Sequence, residues 1–325
     1  MSLLVKGKME PDWFEKEHED GAFKRMESTF RNWVTVDGQA GPSGDAGFKA
    51  QPGRYHLYVS YACPWAHRTL IFRQLKKLQD VISISVVDPR MGDKGWSFGK
   101  FPDATDDQVN GAEYLYEDYL KAQNDFTGIV TVPVLWDKQQ QTIVNNESSE
   151  IIRMLNSAFD QWGDESIDLY PEALRNDIDE INQQVYHGIN NGVYKCGFAT
   201  TQQAYDKAFH NLFSVLDDIE ERLSQQRYLV GEQITEADWR LFVTLLRFDS
   251  VYYNLFKCNK QRIEEYPALS NYLRELYQWP GITQTINMNH IKTHYYYSLD
   301  KINPSRIVPQ GPGIDYQTAH NRNKL

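Results

Sequence analysis

Cysteine is scarce in this chain. Only Cys63, Cys196 and Cys258 occur in 325 residues. They are widely spaced and odd in number, which argues against a disulfide framework and suits a reducing compartment, so the cytoplasm is the expected location. Long apolar runs are missing too. No segment approaches the ~20 residues of a membrane span. Near the start only Leu3-Leu4-Val5 is apolar, too short for a signal-peptide core. Positive charge is in deficit, with 34 Lys plus Arg against 44 Asp plus Glu and a formal net charge of −10. Nucleic acid and anionic membrane surfaces are therefore not expected partners, although a local basic pocket for a small anion stays compatible with the balance. Low-complexity tracts, internal repeats, serine-hydrolase motifs and phosphate loops are absent as well.

The chain is rich in rings. Aromatic residues make up 13%, including 20 Tyr and 8 Trp, and such rings both fill cores and line sites for flat organic molecules. A length of 325 residues exceeds what one core usually supports, so two domains are expected. Residues 1–50 are polar and turn-rich and read as an extension wrapped on the surface. Residues 51–160 then alternate strand and helix patterns. Tyr55, Leu57, Val59 and Tyr61 follow a period of two, and Ile71, Leu75 and Leu78 mark an amphipathic helix from about Pro64 to Leu78. Val81–Val87 reads as a second strand. An insertion between Asp88 and Thr127 holds one helix around Ala112–Ala122. Val132–Trp136 and Gln141–Val144 are two further strands, followed by a helix carrying Ile151, Ile152 and Leu155. The order β-α-β, β-β-α predicts a small sheet with helices on it. Residues 170–298 show helical periodicity, with a capping box at Thr235–Asp238 stapled by Ile234 and Trp239. Residues 299–325, rich in Pro and Gly, form an extended tail.

Cys63-Pro64 lies where the first strand ends and the first helix begins. Pro64 suits the first helical position, which leaves the Cys63 sulfur facing free N–H donors and the positive end of the helix dipole. Both stabilise a thiolate relative to an ordinary thiol of pKa ~8.5. A small buried hydrophobe is an equal reading of the residue alone; its position decides for chemistry. Ala66 stands where a dithiol site would carry its second cysteine, so any disulfide on Cys63 must be cleared by an external thiol. In Val132-Pro133, a cis bond would turn the Val132 backbone toward a ligand. Taken alone the sequence favours trans, and the cysteine with its strand order reverses that. Glu147-Ser148 opens the next helix, where Ser148 could receive a carboxylate and Glu147 an amine. Plain helix capping is the simpler reading of the pair, and no spacing argument places it near Cys63. His290 and His294 are one helical turn apart without a cysteine or clear acidic cluster, and His67 follows Cys63 by four residues. No metal site is expected.

Together these residues resemble a glutathione transferase: an α/β thioredoxin-like N-terminal domain plus an all-α C-terminal domain. More narrowly the chain is similar to the Xi class, the glutathionyl-hydroquinone reductases. The matching segments are Phe30–Trp33, Tyr55–Ser60, Cys63–Arg68, Gly95-Trp96, Val132–Trp136, Asn146–Ser148, Asn190–Lys195, Arg247–Asp249 with Val251-Tyr252, and His290–Tyr295. The resemblance implies Cys63 as nucleophile, with Trp96, Val132, Glu147 and Ser148 binding glutathione as co-substrate. Tyr194, Tyr252 and Tyr295 would line the substrate pocket and stabilise or protonate a departing hydroquinone. Without the family those tyrosines read as core aromatics. A homodimer is implied by the same resemblance. One departure stands out: relatives can carry an arginine where this chain has Ile129, so glutathione binding is either weaker or compensated by another group such as Lys100. Two rivals remain. One is an omega-like or glutaredoxin-like thiol transferase or dehydroascorbate reductase using the same Cys63. The other is a non-catalytic binding module on this fold, which has no need of a cysteine at a helix N-terminus.

Overall fold

Strand β7 (Tyr55–Val59) alternates in sequence, yet all five of its residues are buried, because it is an interior strand. The structure, a computed structural model, describes residues 2–10 and 18–325. In it β7 pairs in parallel with β8 (Ser83–Val86) and antiparallel with β10 (Val134–Asp137), which pairs antiparallel with β11 (Thr142–Asn145). The resulting order is β11-β10-β7-β8. Helix α1 (Pro64–Leu75) connects the two parallel strands, and it packs on α3 (Ser148–Ser157), which follows β11. Helix α2 (Leu115–Ala122) lies within the insertion and packs beside β11.

Helix α1 ends three residues before the expected Leu78. Lys77 takes φ 55°, while the Lys77 and Leu78 amides donate to the carbonyls of Gln74 and Arg73. This is a Schellman cap, whose apolar partner just beyond the helix is the buried Leu78.

The extension contributes to the core instead of merely lying on its surface. Leu3 and Leu4 of β1 (Ser2–Val5) are buried, and β1 pairs with both β2 (Lys8–Glu10) and β9 (Gly128–Val130). Val34 and Phe48, from the parallel pair β5 (Trp33–Thr35) and β6 (Gly47–Lys49), are buried as well.

The chain divides into two compact units. The first comprises the described residues of Met1–Lys16 together with Met26–Ile167 and Thr285–Asp300. The second holds those of Glu17–Arg25 with Asp168–Gln284 and Lys301–Leu325. Two parts of this grouping differ from the expected division at 50, 160–170 and 298. Helix α9 (Met288–Ser298), placed by periodicity with the helical region, belongs to the first unit. There His290 bonds to the Pro102 carbonyl, while His294 and Ser298 bond to the Pro89 carbonyl. The hairpin of β3 (His18–Glu19) and β4 (Ala22–Phe23) belongs to the second, where His18 bonds to the Phe198 carbonyl.

Within the second unit, α7 (Glu236–Arg247) is buried at every position except Arg240, as befits a helix surrounded by others. Its capping box is formed: Asp238 accepts from the Thr235 amide at 2.7 Å, and also from Leu229 N–H and the Tyr272 hydroxyl. Beside it pack α4 (Arg175–Val185) and α8 (Pro267–Tyr277), while α6 (Gln202–Gln225) packs on α8 and on α5 (Gly192–Gly197). The tail beyond α9 is tied down by Arg322, which donates to the carbonyls of Leu223, Gln226 and Arg227 at the end of α6. Among the described residues no helix is long and apolar enough to cross a membrane.

Candidate active site

Where β7 leaves the sheet, Ser60 shapes the turn: its carbonyl accepts from Cys63 N–H and its hydroxyl from Ala62 N–H. Pro64 then starts α1 with Cys63 as the N-cap residue, in extended conformation at φ −75°, ψ 122°. The Cys63 carbonyl accepts the helical bond from His67, and the thiol, half-buried, donates to the Val132 carbonyl at 3.4 Å. The Val132–Pro133 bond is cis. Two of the residues singled out in the sequence are thus in direct contact.

Glu147 caps α3. Its carboxylate accepts from the Ser149 amide at 3.0 Å, from the Ser149 hydroxyl at 2.9 Å and from the Ser28 hydroxyl at 3.1 Å. Burial acts to raise its pKa, but those hydrogen bonds and the charge of Arg68 outweigh it and hold the group below the usual carboxylate range. Glu147 is therefore an anion and a helix cap at once. Ser148, the first residue of α3, is buried. Arg68 reaches its hydroxyl from α1 at 3.5 Å, so the helix that starts at Cys63 also touches the Glu147-Ser148 pair. The sequence offered no sign of that link, because Arg68 reads as one more polar residue on a helix.

Trp96 is buried in the insertion, and its ring stacks on His294 of α9 with centroids 4.7 Å apart and planes at 21°. Tyr295 is edge-on to the same imidazole at 5.4 Å. The preceding Gly95 has φ +79°, and an added Cβ would overlap the Ser2 hydroxyl, so only glycine fits there. Among the described residues no cluster suits a metal ion. His67 bonds to Thr285 instead, at 2.9 Å. Ile129 lies on β9 opposite Leu3, and Lys100 is exposed.

The other two tyrosines meet in the second unit. Tyr194 and Tyr252 have ring centroids 6.0 Å apart, and each also packs on Phe256. Tyr252 lies in a π-helical turn, Phe248–Tyr252, and a second such turn, Tyr186–Asn190, precedes the helix of Tyr194. Such turns are rare and recur at functional sites. Arg25, also missed by sequence reasoning, stands 4.7 Å over the Tyr194 ring and donates to Asn191 at 2.8 Å.

Comparison with known proteins agrees with this architecture. The family described as "Glutathione S-transferase, N-terminal domain" matches residues 62–158, and "Glutathione S-transferase, C-terminal domain" matches residues 202–275. The chain is 52% identical over 323 residues to glutathionyl-hydroquinone reductase YqjG of Escherichia coli, covering 99% of this chain and 98% of the relative. It is 50% identical over 312 residues to glutathionyl-hydroquinone reductase PcpF of Sphingobium chlorophenolicum, covering 96% of each. A glutathione-bound structure of YqjG superposes with a TM-score of 0.91 at 51% identity and 99% coverage of both chains. The Xi-class transferase of Natrialba magadii gives 0.93 at 49% identity, covering 100% of this chain and 98% of that one. With likeness of this extent running through both domains, the chain belongs to the glutathione transferase superfamily, in its Xi class.

Proposed function

We propose that this protein reduces glutathionyl-hydroquinones to hydroquinones at the expense of glutathione, with Cys63 as the nucleophile. The observation that carries the assignment of Cys63 is its place at the N-cap of α1, half-exposed and against the Val132 backbone, in a chain 52% identical to a named reductase of that type. The positive end of the helix dipole favours the thiolate there.

The thiolate attacks the glutathionyl sulfur of the substrate. A sulfur–sulfur bond forms as the bond from sulfur to the ring carbon breaks, and the electron pair passes through that carbon to the adjacent carbonyl oxygen, restoring the aromatic hydroquinone. That departure is feasible from a keto tautomer of the ring. Tyr194 supplies the proton to the sulfur-bearing carbon that forms this tautomer, while Tyr252 and Tyr295 steady the ring oxygens. A second glutathione thiolate then attacks the mixed disulfide, releasing oxidised glutathione and restoring the Cys63 thiolate. One glutathionyl-hydroquinone and one glutathione thus become one hydroquinone and one glutathione disulfide. Trp96, Val132, Glu147 and Ser148 hold the glutathionyl moiety, with Ser148 on the γ-glutamyl carboxylate and Glu147 on the amine. The working form is a homodimer in a reducing compartment such as the cytoplasm, where glutathione can clear a site that lacks its own resolving cysteine.

The test is direct. Cys63→Ala is expected to abolish turnover of glutathionyl-menadiol with glutathione present. Retention of full activity sinks the assignment.

A further inference from the structure

We infer that Arg68 is a positioning residue for the γ-glutamyl carboxylate of glutathione, acting through the Ser148 hydroxyl and supplying positive charge behind it. This rests on the reading above that Ser148 receives that carboxylate.

Four observations lead there. Arg68 is only 2% exposed, and a guanidinium that far from water needs anionic or dipolar compensation around it. It sits on α1, five residues after Cys63, and reaches the first residue of α3, so a single side chain joins the two helix N-termini of the site. Its Cζ stands 4.6 Å from the centroid of the Trp65 ring, a cation–π contact on the same helix. Its field is felt locally, since it helps keep the Glu147 carboxylate ionised.

The polarity of the Ser148 contact matters most. Arginine can only donate, so at 3.5 Å the Ser148 oxygen accepts. The single hydroxyl proton of Ser148 is thereby turned away from Arg68 and is free to be donated to a carboxylate. A buried cation behind a donor with a set direction is a built anion receptor, with the ligand touching Ser148 and the charge lying behind it. Lys100 is a poorer source of that charge. It is exposed, where water and salt screen its field, whereas a buried guanidinium is screened much less.

The experiment measures what the carboxylate itself contributes. Titration calorimetry on the full chain compares S-methylglutathione with the same molecule lacking the γ-glutamyl α-carboxylate, and the ratio of the two affinities is the readout. Arg68→Gln is expected to lower that ratio by about tenfold or more, the loss expected for a charge-assisted contact, with binding of the decarboxylated analogue unchanged. Arg68→Lys, which keeps the charge, should hold the ratio to within a few-fold. An unchanged ratio in Arg68→Gln overturns the inference, and so does an equal loss on both ligands, which marks a merely structural role. Ser148→Ala separates the two levels. If it lowers the ratio while Arg68→Gln does not, the glutathione orientation stands without Arg68; if neither does, the orientation falls as well. Should Arg68→Gln not fold, Arg68→Lys decides, and collapse of its ratio counts against the charge.

Discussion

On the proposed mechanism, one hydroxyl separates the two chemistries open to Cys63. Cleaving a bond from sulfur to carbon needs a proton for the carbon, whereas thiol–disulfide exchange does not. Tyr194 is packed among Tyr252, Phe198 and Phe256, so Tyr194→Phe keeps the ring and removes only the proposed acid. This variant is expected to lose roughly a hundredfold in kcat on glutathionyl-menadiol while reducing a small glutathione mixed disulfide within a few-fold of the parent. A parallel loss on both substrates would count against the acid role. At this scale the sequence was informative about Cys63, because strand, Cys-Pro and helix follow one another locally. It was silent on the Arg68–Ser148 contact and the Trp96–His294 stack, which join residues far apart in the chain and involve side chains with an ordinary place on a helix surface or in a core.

Two buried groups, His56 on strand β7 and Asp118 on α2, respond to pH in opposite directions. His56 is wedged between the hydroxyls of Ser83 at 2.7 Å and Ser85 at 2.9 Å, and burial lowers its pKa to about 4. The unfolded chain, with an ordinary histidine pKa, binds a proton between about pH 6.5 and 4 that the folded chain refuses, so this group loses stability as pH falls through that window. Asp118 of α2 accepts from Asn110, which also donates to Tyr58 of the same strand. Burial, then the nearby Asp107 charge, raises its pKa to about 7. Its sign is reversed: stability is present below the ordinary aspartate pKa and is lost as pH rises toward 7. Each shift corresponds to something on the order of 3 kcal/mol over its full window. The two largely cancel in the parent. Urea titrations from pH 7 to pH 4 should therefore show His56→Gln gaining stability as pH falls and Asp118→Asn losing it more steeply than the parent. Equal pH slopes in all three proteins would refute the assignment. Elements such as β7 and α1 were legible because their apolar spacing is local. The end of α1 was not, since Leu78 continues the apolar spacing as a cap contact after the helix has stopped. The place of α9 was not legible either, because periodicity says that a helix forms and not what it packs on.

Across the whole molecule, the tail and α9 show that the units are not consecutive stretches of chain. Arg322 satisfies three carbonyls near the end of α6, groups that a helix terminus otherwise leaves without partners. Arg322→Ala is expected to lower unfolding stability by about 2–4 kcal/mol, read from denaturant midpoints, and to expose residues 301–325 to limited proteolysis. Unaltered midpoint and cleavage would mean that the tail is held elsewhere. The first unit, meanwhile, is completed only by Thr285–Asp300. A ribosome that has paused just before Thr285 has already delivered Cys63, Glu147 and Ser148, yet the imidazole against which Trp96 stacks has not been synthesised. If Trp96 holds glutathione as proposed, capture of the tripeptide thiol waits until that segment has been made, and a chain cut short before it carries Cys63 in a half-finished cradle.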